Sequence, residues 1–219
     1  AILDKGRVAK RRLVARKKPL PIQPLPTSFD RYRQVFARLG FETPKTFRSV
    51  FDDRHLPLPL PEGIESRREG EFWVGVAPFA KHEGKIYPLD RSESLVARLS
   101  QQEDCRVFLM GGGGEEADLL GGWAEKYPRV VSLAGKRLGF AVELSMMSRM
   151  TLVVSMDSAN MHLASMAGTP VVSVWGQTHP YAGFLGWRQS KENIIQLSDL
   201  SCRPCSIFGN KPCYRGDYA

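Results

Sequence analysis

The chain has 219 residues, of which 42% are hydrophobic and 25% charged, and carries a formal net charge of +8. That length accommodates one large domain, or one domain plus part of another, with ample apolar material for a core. No apolar stretch approaches the ~20 residues that cross a bilayer and no secretory signal pattern opens the chain, so a cytoplasmic protein is the expectation. The chain opens on Ala1 rather than Met, and Ile2-Leu3-Asp4 reads as the tail of a strand, so sequence upstream is expected.

Residues 1–18 hold Lys5, Arg7, Lys10, Arg11, Arg12, Arg16, Lys17 and Lys18 against Asp4 alone, a net of +7, which leaves the rest nearly neutral. Such a block suits a solvated surface helix or linker, or it attracts an anionic lipid or phosphorylated partner. It has no interleaved aromatics, so no nucleic-acid partner is expected. Residues 19–26, PLPIQPLP, carry four prolines and must be extended, because proline fixes φ and removes a donor. A helix follows, capped by Thr27 or Ser28, with Tyr32, Val35, Phe36 and Leu39 at helical spacing and Gly40 at its end. Residues 56–61, LPLPLP, form a second proline-rich connection. Residues 1–66 therefore read as a linker and a packing helix with little core of their own, and 67–219 as a separate domain.

From residue 71 short apolar runs alternate with amphipathic stretches. Candidate strands are Phe72–Ala77, Cys105–Met110, Val130–Leu133, Leu152–Ser155, Val171–Trp175 and Ile194–Leu197; candidate helices include Ser94–Leu99, Ala117–Trp123 and Phe140–Met147. Val-, Ile- and Leu-rich strands separated by helices indicate βαβ units and an α/β fold, a Rossmann-like, mainly parallel sheet covered on both faces. Ligands of such sheets bind beyond the carboxyl ends of the strands. The unusual residues follow strands here: Lys81 and Lys85, Gly111–Glu116, Asp157–His162, and Gly176–His179. They are expected to gather on one edge.

Gly111 to Gly114, followed by Glu115 and Glu116, joins a strand to a helix. Glycines there admit close backbone approach, the helix start offers free N–H groups, and a glutamate suits ribose hydroxyls. The pattern is not G-x-G-x-x-G, so a nicotinamide cofactor is disfavoured, and a plain tight turn accounts for it equally well. At Asp157-Ser158-Ala159-Asn160-Met161-His162, Ser158 or Asp157 is placed to cap a helix whose orphan donors and positive dipole end suit a diphosphate. The alternative is a capped helix with a satisfied core histidine. Lys85 would put a compact charge beside the same diphosphate if its loop folds over the site, and is otherwise a solvated lysine. Gly176–His179 is expected to wall the pocket. Cys202, Cys205 and Cys213 are three potential zinc ligands; a structural site needs a fourth, and reduced, unliganded thiols are the alternative. Cys105 is expected to be a small buried hydrophobe.

The run DSANMHLASMAGTPVVSVWGQTHP resembles the signature of glycosyltransferase family 9, which includes the lipopolysaccharide heptosyltransferases. Its usual form is an Asp-Ser/Thr-Gly-x-x-His helix start, a small-residue helix, a Thr-Pro strand and a Gly-x-Thr turn, and the likeness covers roughly residues 70–219. The resemblance implies one half of a GT-B enzyme, whose two Rossmann-like domains face each other across a cleft, the carboxyl-terminal one holding the donor. It implies ADP-heptose as donor, bound around Asp157, Ser158, Ala159 and His162, with Lys85 on the phosphates, Glu115 or Glu116 on the ribose and Leu138 near the adenine. Ala159 departs from the family's glycine, and Ala80 and Lys81 replace hydroxyl residues found in some members. The implied reaction is an inverting transfer of heptose to the lipopolysaccharide inner core, a lipid A-core acceptor at the cytoplasmic face of the inner membrane, where the basic block would help hold the phosphorylated surface. No cofactor is required beyond a possible zinc in the tail, for which related tails carry a fourth cysteine. The catalytic base is expected in the amino-terminal domain, most of which this chain lacks, so the fragment alone is expected to be inactive. Two alternatives stay open: a non-catalytic nucleotide- or zinc-binding module, and a GT-B enzyme using a UDP- or GDP-sugar.

Overall fold

A computed structural model describes residues 2–15, 18, 21–213 and 215–216. Arg16 and Lys17 of the basic block, and Pro19 and Leu20 of the first proline-rich run, lie outside the described residues. Six parallel strands form one sheet: β1 (Phe72–Ala77), β2 (Cys105–Leu109), β3 (Val130–Ser132), β4 (Leu152–Met156), β5 (Val171–Trp175) and β6 (Ile194–Gln196), in the order β3-β2-β1-β4-β5-β6. The chain also forms α1 (Arg7–Leu13), α2 (Ser28–Arg38), α3 (Leu89–Ser100), α4 (Glu115–Lys126), α5 (Phe140–Ser148) and α6 (Ala159–Ala167). Every expected strand is present to within a residue or two at its ends, and the expected helices extend further than their apolar stripes.

Because successive strand side chains point to opposite faces, β1 contributes to two cores at once. Trp73 and Ala77 enter one, with Phe108, Val153 and the α5 and α6 residues Met146, Met147, Met161 and Ala164. Val74 and Val76 enter the other, with Val107, Leu109, Val96 of α3, and Leu120 and Trp123 of α4. Each fully buried side chain of this size contributes about 1.5–3 kcal/mol, so both faces are strongly specified. Cys105 is buried within the second core, as a small hydrophobe should be.

The amino-terminal region holds to this domain by scattered contacts. Thr27 caps α2 by accepting from the Asp30 N–H at 3.0 Å. The α2 stripe of Tyr32, Phe36 and Leu39 has the expected helical spacing but is 57%, 46% and 53% exposed. Phe29 makes the packing contact instead, its ring 5.0 Å from that of Trp187. Further along, Val50 N–H donates to the Met166 carbonyl at 2.8 Å, and Phe51, Leu60 and Ile64 lean on the first core. Among the described residues no helix is long and apolar enough to cross a membrane.

Candidate functional site

The strand order reverses between β1 and β4, which is where a doubly wound sheet opens a crevice beyond its carboxyl ends. A cavity of about 430 Å³ lies there. Its walls come from Phe79, Ala80 and Lys81 after β1, Lys85 beyond them, Gly111, Gly112 and Glu116 after β2, and Asp157, Ser158, Ala159, Asn160 and His162 after β4, with Phe184 and Phe208 from distant segments.

Lys85 ends a single 3₁₀ turn, Glu83–Lys85, that folds back over the sheet. The turn is docked by backbone: Gln177 N–H donates to the Gly84 carbonyl at 2.7 Å. Two glycines make that approach possible, since a Cβ on Gly84 would collide with the Gln177 side chain and one on Gly176 would stand 2.7 Å from the Gly84 carbonyl oxygen. On its other side the Lys85 stem meets Gly209 of the tail, where a Cβ would lie 2.6 Å from the lysine Cγ. Held between these surfaces, the Lys85 ammonium sits 2.9 Å from Asp157 Oδ2, with the two side chains 15% and 5% exposed. An ammonium has three donors, and one carboxylate oxygen leaves the others for a ligand. Lys85 is therefore not a solvated surface lysine.

Ser158 stands at the amino-terminal end of α6 but makes no side-chain cap; its hydroxyl lies 3.2 Å from that of Ser155. The first-turn N–H groups of α6 stay available beside the cavity, where an anion also meets the positive end of the helix dipole. Burial pushes the His162 imidazole below its ordinary pKa, the Lys85 ammonium adds to that shift and the Asp157 carboxylate opposes it. A neutral histidine on this turn carries one donor and one acceptor, which suits a phosphate oxygen or a hydroxyl.

Of the paired acids, Glu116 lines the cavity and Glu115 lies exposed outside it. Glu116 Oε2 accepts from the Gly112 N–H at 2.7 Å, which ties the glycine loop down at the cavity wall. Leu138 packs against the first core and is not among the cavity's lining residues. The Gly176–His179 segment, expected to wall the pocket, is not among the cavity's lining residues. Gln177 and Thr178 are 1% and 0% exposed, and Cys205 N–H donates to the Gln177 carbonyl at 3.1 Å. His179 is pushed down to about 4 by burial, Arg203 and Lys18, and its neutral Nδ1 accepts from Tyr181 N–H at 3.1 Å.

The sequence reading missed the tail's part in the site. Arg203, 4% exposed, donates to the carbonyls of Gly176 at 2.6 Å, Trp175 and Thr178 at 2.9 Å, and Leu197. It thereby clamps residues 202–209 across the ends of β5 and β6, which brings Phe208 to the cavity, 5.8 Å from the Phe184 ring. No disulfide joins Cys202, Cys205 and Cys213 to one another. Burial and the neighbouring Cys202 raise the Cys205 thiol. Among the described residues no three His, Cys, Asp or Glu side chains are arranged to hold a metal ion.

The sequence pattern of glycosyltransferase family 9 (heptosyltransferase) matches residues 4–211, nearly the whole chain. The chain belongs to glycosyltransferase family 9. It is 28% identical over 131 residues to lipopolysaccharide heptosyltransferase 3 of Escherichia coli K12, an alignment covering 58% of this chain and 36% of that relative. Among solved structures the fold matches E. coli heptosyltransferase WaaC with ADP, at TM-score 0.59 and 22% identity over 79% of this chain and 52% of that one. It also matches the family 9 glycosyltransferase of Veillonella parvula, at TM-score 0.58 and 17% identity over 84% and 51%. This family 9 chain thus spans about a third to a half of the length of these relatives, and their fold supports a Rossmann-like domain of GT-B type.

Proposed function

We propose that this family 9 chain is the donor-binding half of a glycosyltransferase that moves a heptose from ADP-heptose to the lipopolysaccharide inner core at the cytoplasmic face of the inner membrane. The observation that carries the reading is the convergence of Lys85, Asp157, the uncapped start of α6 and His162 on one switch-point crevice. The named relatives supply its chemistry, one a lipopolysaccharide heptosyltransferase and one a heptosyltransferase bound to ADP.

In this reading the diphosphate lies against the α6 start with Lys85 beside it, and Glu116 Oε1 takes a ribose hydroxyl. The acceptor hydroxyl attacks the anomeric carbon as the bond from that carbon to the diphosphate oxygen breaks. The electron pair leaves with ADP, and the acceptor proton passes to a base supplied by the amino-terminal half of the enzyme. Lys85 and the helix dipole stabilise the growing charge on the leaving diphosphate, a preorganised electrostatic contribution that needs no metal in the crevice. The zinc-module alternative has no arranged ligand set behind it among the described residues.

Calorimetry of the full chain with ADP, UDP and GDP tests this directly. ADP should bind best, and Glu116→Ala should weaken it while Glu115→Ala leaves it unchanged. Preference for UDP or GDP would replace the donor; no affinity for any of the three would remove the site.

A further inference from the structure

We propose that Lys81, in the loop after β1, closes onto the diphosphate of the donor and supplies the positive charge that the rest of the crevice lacks; this rests on the sugar-nucleotide reading above. Four charged side chains line the crevice: Lys81, Lys85, Glu116 and Asp157. Lys85 is already matched by Asp157 at 2.9 Å, and Glu116 brings a second carboxylate. Without Lys81, one cation would face two carboxylates, and the lining would have the wrong sign for an anionic ligand. His162 does not make up the difference, because burial favours its neutral form.

The topology puts Lys81 on the path of the ligand. β1 lies between β2 and β4, with Val76 beside Leu109 on one side and Ala77 beside Ser155 on the other. Past these positions come Gly111 and Gly112 after β2, Lys81 after β1 and Ser158 after β4, each within a few residues of its strand end. Neighbouring strands are about 4.8 Å apart, so the loop carrying Lys81 leaves the sheet between the glycine loop and the start of α6. In the reading above Glu116 takes the ribose and the α6 start takes the diphosphate. A ligand bound to both crosses the end of β1, where Lys81 lines the crevice.

The two lysines are prepared differently for this task. Lys85 is largely buried, pinned by its carboxylate and by Gly209 against its stem. Lys81 is exposed, and its ammonium has no ion pair among the described residues. A compact cation on a flexible four-carbon stem, with all its donors free, can swing onto a phosphate oxygen when the donor arrives and release it with the product. Lys85 thus gives the site fixed donors, and Lys81 gives it charge that is not already offset. Ala80 beside it offers the ligand no polar side chain, so the contribution of this loop rests on Lys81.

The test compares the full chain with Lys81→Gln, Lys81→Arg and a control of equal charge change, Lys191→Gln, which precedes β6 at the opposite edge of the sheet. ADP is titrated by calorimetry in low and in high salt, and adenosine is measured by competition against ADP. Lys81→Gln should raise the ADP Kd about tenfold and flatten its dependence on salt, with adenosine affinity and melting temperature unchanged. Lys81→Arg should keep most of the ADP affinity, and Lys191→Gln all of it. Unchanged ADP affinity in Lys81→Gln would overturn the proposal and make Lys81 a solvated surface lysine, with the donor site intact. An equal loss for adenosine would also overturn it, by moving Lys81 to the nucleoside, as would an equal loss in Lys191→Gln, which would reduce the effect to overall charge. A parent chain that binds no ADP would remove the donor reading itself, and this proposal with it.

Discussion

Two buried cations meet the Gly176–His179 segment and are paired in opposite ways. Lys85 faces a cavity and spends one donor on the Asp157 carboxylate. Arg203 directs Nε and both Nη groups to backbone carbonyls and the Gln196 side chain. A planar guanidinium with five donors suits a scaffold in which strand ends, a turn and a tail must be joined at once; a compact ammonium suits a place where charge is wanted and donors must remain free. Both charges are desolvated. The ammonium keeps most of its donors for a ligand, whereas the guanidinium spends most of its own on the scaffold.

That contrast can be broken experimentally. Arg203→Ala should have the largest effect, about 4 kcal/mol off the unfolding free energy in urea, because several buried carbonyls lose their only charged donor together. A loss below about 1 kcal/mol would mean that water replaces the guanidinium. Lys85→Ala should cost less stability, about 3 kcal/mol, since it strands the Asp157 carboxylate in a buried position, and should weaken ADP by roughly 10- to 100-fold. The pair Lys85→Met/Asp157→Asn should recover the stability without the affinity, because no unpaired charge remains. If single and double variants bind ADP alike, Lys85 has no contact with the diphosphate.

The smallest effect sharpens the comparison. Gly209 has φ +72° and touches the Lys85 stem, whereas Gly70 has φ +76° with open space around it. Alanine at either position costs about 1 kcal/mol of backbone strain. Only Gly209→Ala should also weaken ADP, by a few-fold, through displacement of the ammonium. In a Lys85→Ala background, where the stem is gone, it should have no further effect on affinity. Parallel losses in both backgrounds would show that Gly209 acts on the fold alone.

The strands were legible because β1, β2 and β5 (FWVGVA, CRVFL and VVSVW) are short runs dominated by Val, Leu, Phe and Trp, a pattern that a parallel sheet buried on both faces requires. Asp157, Ser158 and His162 were legible because they follow such a run and begin a small-residue helix. The choice between Glu115 and Glu116 was not, since adjacent residues at a helix start differ by 100° of rotation and only the packing of α4 decides which one points inward. The fate of Gly176–His179 was hidden for a similar reason. Its composition suits a pocket wall, but the Arg203 clamp and the Gly84 contact cover it from both sides.

Local pattern by itself therefore determined the α/β class, the order of strands and helices along the chain and the edge on which the polar loops collect. Those features depend on the period of side-chain burial and on rules for where parallel strands end, both of which act over a few residues. Tertiary structure alone decided that Lys85 bonds to Asp157, that Phe184 and Phe208 enter the crevice, and that the tail braces the lysine. These contacts join residues separated by tens of positions along the chain, and the free energy that selects them, desolvated charge matched to charge and ring to ring, exists only once the sheet has brought them together.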